Sequence, residues 1–322
     1  HPLATPSHSE QGNSTSKANY TDEVRTMIAC VQMKLNPEDY KTEQAFAARI
    51  MAVMKRVREQ AGEGPLLVAF PEHIGTFCLL SNAPERIWSK QTFAQASAAL
   101  LWHHGAAVAH QMLRHRVSAV RALFLARAKE LERIYLTPFI AAAREYEAWI
   151  VAGSAALRWG QTNRIYNTSP VITPTGQVVY RQHKVNLVEM EQKAGLDLDP
   201  APLNYVSAVQ SPLGALGVAI CLDAFHLDVR QRLQGLGAKI LIQPSANNGP
   251  WNEWQQEDWK RACFAAVAEN KEFDLAVNPM LVGRLWDIEF EGQSSIIDQN
   301  GCVVKAESPF EEEILLRKDL LN

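Results

Sequence analysis

The stretch "LGVAICLDAFHLD" (216–228) puts a cysteine, Cys221, at the end of an apolar run and follows it with Asp223 and Phe225. A short apolar run ending in polar residues reads as a buried strand meeting a loop. Buried cysteine usually behaves as a small, inert hydrophobe, so a chemical role for this thiol needs support from elsewhere in the chain. Similar apolar runs occur at "TMIACVQM" (26–33), "PLLVAFPE" (65–72), "AWIVAGSAAL" (148–157) and "AKILIQPSA" (238–246). Between them lie segments with helical spacing. Over residues 41–60, Phe46, Ile50, Val53, Met54 and Val57 recur three or four apart, as one helix face requires. "LTPFIAAAREYEAWIVAG" (136–153) predicts a helix followed by a strand. "YNTSPVITPTGQVVYRQHK" (166–184) predicts a hairpin turned by Pro-Thr-Gly, and "FEGQSSIIDQNGCVVKAE" (290–307) repeats the design with Gln-Asn-Gly. Strands alternating with helices, interrupted by hairpins, imply a layered α/β protein with mixed sheets.

Composition narrows the function classes. The 322 residues are 47% hydrophobic and 21% charged with a net charge of −3, values of an ordinary globular protein with a sizeable core. No Lys/Arg-rich block marks a nucleic-acid surface. Five widely spaced cysteines (Cys30, Cys78, Cys221, Cys263, Cys302) form no CxxC pair. That pattern suits a reduced, cytoplasmic setting and offers no zinc site. Residues 1–24 read as a flexible tail with no apolar h-region, hence neither signal peptide nor membrane anchor. The glycosylation-like triplets at Asn13 and Asn19 matter only on a secretory route and are read as chance.

Residues 25–322 are expected to form a single domain with a helical insertion around 80–130. Inside it, residues 91–113 contain no Asp, Glu, Lys or Arg. The run is long enough to span a bilayer, but His103, His104, His110 and several Gln make it too polar for that. A buried or subunit-facing helix is the first expectation and a lid over a site the second; no membrane partner is expected. His103 and His110, seven apart, would share a helix face, with packing favoured over metal binding.

Three predicted strand ends carry reactive groups: Glu72 after "LLVAFP", Lys184 after "VVYRQH" and Cys221 after "GVAI". In open α/β sheets, sites are built at the carboxyl ends of strands. A thiol, an ammonium and a carboxylate meeting there can perform acyl transfer. The thiolate attacks, the carboxylate takes its proton and the cation stabilises the oxyanion.

With these segments in order, the chain resembles the nitrilase superfamily of carbon–nitrogen hydrolases from about residue 25 to 320. The resemblance is carried by "IACVQM", "FPE", "YNTSPVI", "YRQHKVNL", "ICLDAF", "PSA" (244–246), "AEN" (268–270) and "FEGQSSIIDQNG" (290–301). It implies a Glu-Lys-Cys triad, with Glu72 as general base, Lys184 as oxyanion cation and Cys221 as nucleophile. It also implies a further orienting carboxylate, Glu191 rather than Glu189 by spacing, and an oxyanion-hole N–H from Leu222. Asn247 and Trp251, with Trp254, fall where family members shape the substrate pocket. The implied fold is a four-layer αββα sandwich that forms homodimers or higher oligomers, with no metal and no organic cofactor.

The chain departs from the family pattern after the nucleophile, where the usual Cys-Tyr-Asp-x-x-Phe-Pro-Glu becomes Cys221-Leu-Asp-Ala-Phe225-His226-Leu227 and that Pro and Glu are lost. The Cys-Trp-Glu of true nitrilases is absent, which favours an amide or carbamoyl substrate over a nitrile. The expected activity is hydrolysis of a small non-peptide amide through a cysteine thioester. Nitrile hydrolysis, N-acyl transfer to an amine, and a non-catalytic binding protein are the alternatives.

Overall fold

The computed structural model describes residues 26–301 and 303–319. The expectations for the tail, for Asn13 and Asn19 and for Cys302 lie outside them. Sixteen strands assemble into two sheets. In chain order they are β1 (Thr26–Leu35), β2 (Leu66–Ala69), β3 (Ala148–Val151), β4 (Ala155–Arg158), β5 (Ile165–Ile172), β6 (Val178–His183), β7 (Ala208–Ser211), β8 (Gly214–Val218), β9 (Ile240–Ile242), β10 (Ser245–Ala246), β11 (Leu275–Asn278), β12 (Met280–Leu285), β13 (Ile288–Phe290), β14 (Ser295–Asp298), β15 (Val303–Lys305) and β16 (Glu313–Asp319). The larger sheet runs β10-β12-β1-β2-β3-β5-β4, with β13, β16 and β6 paired to β12, β1 and β5. The smaller runs β15-β14-β11-β9-β8-β7. Each mixes a parallel centre with antiparallel edges.

Alternation along the strands sorts the core into layers, because successive side chains leave opposite faces of a sheet. Ala29, Val31 and Met33 of β1 pack outward beneath helix α1 (Glu43–Ala61), against Phe46, Ile50 and Val53. Ile28 and Cys30 point the other way, into an inner core shared with Leu67, Ala69, Val218, Ile242 and Val277 from both sheets. On the far side of the smaller sheet, Leu241 and Ala276 meet Val229, Leu233, Ala266 and Val267. Helix, sheet, sheet and helix therefore stack in that order, the αββα arrangement expected from the sequence.

Two predicted strands are broken, and both breaks matter for the site. "AWIVAGSAAL" divides at Gly153, whose φ is 71°. A Cβ there would lie 2.1 Å from the Pro71 carbonyl oxygen, so only glycine lets the chain pass this close to the loop carrying Glu72. "AKILIQPSA" divides at Pro244, so β9 joins the smaller sheet and β10 the larger. This segment ties the two sheets together beside the site.

The uncharged run 91–113 is not one helix. A short turn of helix, α2 (Glu85–Trp88), precedes it, and the run itself forms α3 (Phe93–His103) and most of α4 (Gly105–His115), parted at His104. Ala96, Leu100 and Val108 are buried, whereas Trp102 and Leu113 are exposed, so the pair is half-buried against the long helix α5 (Ala119–Glu145) rather than enclosed. His103 and His110 consequently sit on different helices, and the His103 ring lies 3.2 Å from the Arg86 guanidinium. Among the described residues, no helix is long and apolar enough to cross a membrane.

Candidate active site

The three strand-end groups converge. Glu72 lies three residues past β2, Lys184 directly follows β6, and Cys221 lies three residues past β8, so the larger sheet supplies the charges and the smaller one the thiol. The Lys184 ammonium is fully buried and donates to Glu72 Oε1 and to Glu191 Oε2, both at 2.7 Å. Asn167 Nδ2 donates to the same Glu72 oxygen at 2.9 Å and to Glu191 Oε1 at 2.6 Å. The remaining oxygen of Glu72 accepts from the Ala246 N–H at 3.0 Å. Val188 N–H reaches Glu191 Oε2 at 3.0 Å. Every one of these side chains is buried, and charges taken out of water persist there only when paired and hydrogen-bonded.

The electrostatics follow from that packing. Burial alone would push Lys184 down, but the charges of Glu72, Glu191 and Cys221 carry it well above the ordinary lysine range. Burial also works against the charge on Glu191, yet Lys184 and His73 hold its carboxyl well below the usual range. Burial pushes the Cys221 thiol far up and nearby Glu72 adds to this, while Lys184 and the Ala246 N–H pull the other way. The sulfur thus lies in the field of both the Glu72 carboxylate and the Lys184 ammonium.

Cys221 stands at φ 48°, in the left-handed region that non-glycine residues rarely occupy. Its N–H donates to Pro244 O at 2.9 Å, and its carbonyl accepts from Gln243 Nε2 at 2.9 Å. The chain then turns sharply through a 3₁₀ segment, Cys221–Phe225. Asp223 pins this turn to the residues after Lys184. Its carboxylate accepts from the N–H groups of Val185 (3.1 Å) and Asn186 (2.7 Å) and from Asn186 Nδ2 (2.9 Å). Backbone strain of this kind survives where surrounding bonds over-determine it, and it concentrates at functional sites.

Cys221 opens on a cleft of about 730 Å³ whose walls include Leu222, Phe225, Asn247, Trp259 and Arg261. Leu222 and Asn247 line the same cleft as Cys221, and the Asn247 amide is engaged with the carbonyls of Gly249 and Glu291. Trp251 is placed elsewhere. It is buried, its indole donates to Gln293 Oε1 at 3.0 Å, and it lines a neighbouring cavity of about 430 Å³. Trp251 does not line the cleft at Cys221; Trp259, which does, packs edge-on against its ring at 5.4 Å. Trp254 is exposed.

Two residues of the cluster escaped the sequence reading. Asn167 had a usable signal: the hairpin register pairs Thr168 with His183, which sets Asn167 across from Lys184 and on its face. His73 had none beyond its place after Glu72. At φ 62° it turns its ring inward, with Nδ1 2.9 Å from Thr76 Oγ1 and Nε2 3.2 Å from Glu191 Oε1. The Glu191 carboxylate can only accept, so Nε2 carries the proton facing it, while Thr76 Oγ1, which also accepts from Ala156 N–H, bonds Nδ1. Glu72, His73 and Glu191 offer ligand atoms within 4.8 Å of one another, the spacing of a metal site. Lys184 donates to both carboxylates and already supplies the positive charge there.

A sandwich of two mixed sheets with an acid, a lysine and a cysteine meeting at one end defines a class of protein, and the comparisons agree. The carbon–nitrogen hydrolase family model matches residues 27–318, and the chain belongs to that family. Among curated relatives, it is 32% identical over 113 residues to deaminated glutathione amidase of Bos taurus, covering 32% of this chain and 34% of that protein. It is 24% identical over 182 residues to an omega-amidase of Saccharomyces cerevisiae, covering 54% and 59%. The matches thus span between a third and about three-fifths of those relatives' lengths. Among solved structures, a carbon–nitrogen hydrolase from Helicobacter pylori superposes with TM-score 0.64 at 17% identity, covering 92% of this chain and 89% of that one. An amidase from Nesterenkonia sp. gives TM-score 0.59 at 17% identity, covering 92% and 91%. At these identities, the structural likeness establishes the nitrilase fold.

Proposed function

We propose that the chain hydrolyses a small non-peptide amide or carbamoyl compound through a thioester on Cys221. The observation that carries this reading is the buried Lys184 ammonium, held at 2.7 Å by both Glu72 and Glu191 beside a thiol on a strained turn. Glu72 takes the thiol proton as sulfur attacks the carbonyl carbon. Lys184 and the Leu222 N–H stabilise the oxyanion, because fixed charges and dipoles act strongly where water is excluded. The amine departs with the proton from Glu72, and Glu72 then draws a proton from the water that resolves the thioester. Splitting one difficult step into two easier ones is the advantage of the covalent route. Glu191 and Asn167 keep Lys184 and Glu72 aimed, and His73 steadies Glu191.

Supporting this reading are membership of the family and the amidase names of its relatives. The test is intact-mass spectrometry of protein quenched during turnover of an amide panel. An acyl adduct on Cys221, absent from Cys221→Ala, is the expected result. Turnover that persists in Cys221→Ala would overturn the mechanism.

A further inference from the structure

A second, apolar cleft of about 570 Å³ lies on the other side of the catalytic carboxylates. Its walls include Phe77 from the 3₁₀ turn Thr76–Leu80, Leu100 from α3, Leu123 and Phe124 from α5, and Phe290 from the edge strand β13. Its polar side chains are few: His73, which bonds Glu191, Thr76, which bonds His73, Ser97 and Asn248. Met190 and Asn248 line both this cleft and the one that opens on Cys221, and they touch each other at 4.0 Å, so these two side chains are the partition between them. Methionine is unbranched and moves aside readily. The loop behind Met190 closes tightly, since a Cβ on Gly195 would lie 1.9 Å from the Met190 carbonyl oxygen.

We propose that this cleft holds an apolar arm of the substrate, so that the preferred amides carry an extended alkyl chain on one side of the scissile bond. The proposal rests on the hydrolase reading and names the substrate class for the same site. The lining is mostly apolar, and His73 beside the catalytic carboxylates is among its few polar side chains, which suits a molecule with an amide head and a hydrocarbon tail. The uncharged run 91–113 acquires a purpose, because a wall without Asp, Glu, Lys or Arg takes up hydrocarbon with no charge to strip of water. The volume falls within the range of pockets that enclose small organic ligands, roughly 300–1,000 Å³.

The experiment measures kcat/KM for unbranched primary amides from acetamide to decanamide and, separately, for N-alkylacetamides of increasing chain length. The two series distinguish an acyl tail from an amine tail. In one of them each added methylene should raise kcat/KM about threefold to fourfold until the cleft is full. Ser97→Trp, on the cleft face of α3, and Ala94→Trp, at its exposed rim, should flatten that series and leave acetamide turnover within about twofold. Flat profiles in both series, or a rise that survives both tryptophans, would overturn the proposal. Calorimetry on Cys221→Ala protein reads the cleft without turnover: octanamide, or N-octylacetamide if the tail is on the amine, should bind at least tenfold more tightly than acetamide, and Ser97→Trp should abolish the difference. Failure of the hydrolase reading would show separately, as no turnover of any amide and no adduct on Cys221.

Discussion

Cys221 and Cys263 are a natural pair for comparison. Both thiols are buried, both are pushed up by burial, and one glutamine links them: Gln243 donates to the Cys221 carbonyl, and the Cys263 thiol donates to Gln243 Oε1, each at 2.9 Å. Their surroundings differ. Cys263 packs among Ala262, Ala266 and Leu241 and lines the neighbouring cavity of about 430 Å³, with its thiol hydrogen-bonded to Gln243 and Arg230 as the cation acting on it. Cys221 stands on a left-handed residue at the mouth of a cleft, within reach of Glu72, Lys184 and the Ala246 N–H. Burial alone makes a thiol inert; a neighbouring base, a cation and an open side make it a nucleophile.

The largest expected effect separates the two thiols outright. Cys221→Ala should lower kcat by 10³-fold or more, while Cys263→Ala leaves kcat within about threefold, both read by steady-state kinetics. Equal losses in the two variants would erase the distinction drawn here. Next is the charge cluster on which only Cys221 depends. Glu191→Gln takes one carboxylate from Lys184 and should cost about 10²-fold in kcat, with iodoacetamide labelling of Cys263 unchanged.

The clamp that holds the Cys221 turn has a pH signature. Burial raises Asp223 to about 6, against which its bonds from Val185 and Asn186 work. The folded chain therefore binds this proton more readily than the unfolded chain does. The stability it contributes is fully present below about pH 4 and is lost as pH rises to about 6. Chemical denaturation should show wild-type stability relative to Asp223→Asn falling by about 2 kcal/mol across that window. A difference that does not change with pH would place the clamp outside this account. The smallest effect is structural: Cys263→Ala leaves Gln243 Oε1 without its donor and should cost about 1 kcal/mol in denaturant melts.

Much of this was legible in the chain. The apolar periodicity of α1 named its buried face, with Phe46, Ile50, Val53, Met54 and Val57 all buried. The strand ends exposed Glu72, Lys184 and Cys221 because an apolar run that stops in a reactive residue is a local pattern. Glu191 came from its spacing to Lys184. Trp251 lies off the cleft at Cys221, packed edge-on against Trp259, an arrangement that sequence spacing does not encode. The uncharged run read as one helix is two, because the chain turns at His104-Gly105 to lay both pieces on α5.

By itself, the sequence determined most of the elements and the layered α/β class and marked three strand-end groups as candidates, since each depends on neighbours a few residues apart; the four-layer order came from the family resemblance. Tertiary structure decided how those groups are used: the inward turn of His73, Asn167 donating to two carboxylates, the partition at Met190 and Asn248, and the hydrocarbon-lined cleft behind them. The side-chain contacts of Asn167 and Met190 among these join residues 24 to 95 apart in the chain, and the cleft gathers residues from His73 to Phe290. Such distances close only when hydrophobic burial folds two sheets face to face, and the unfolded chain holds no local record of them.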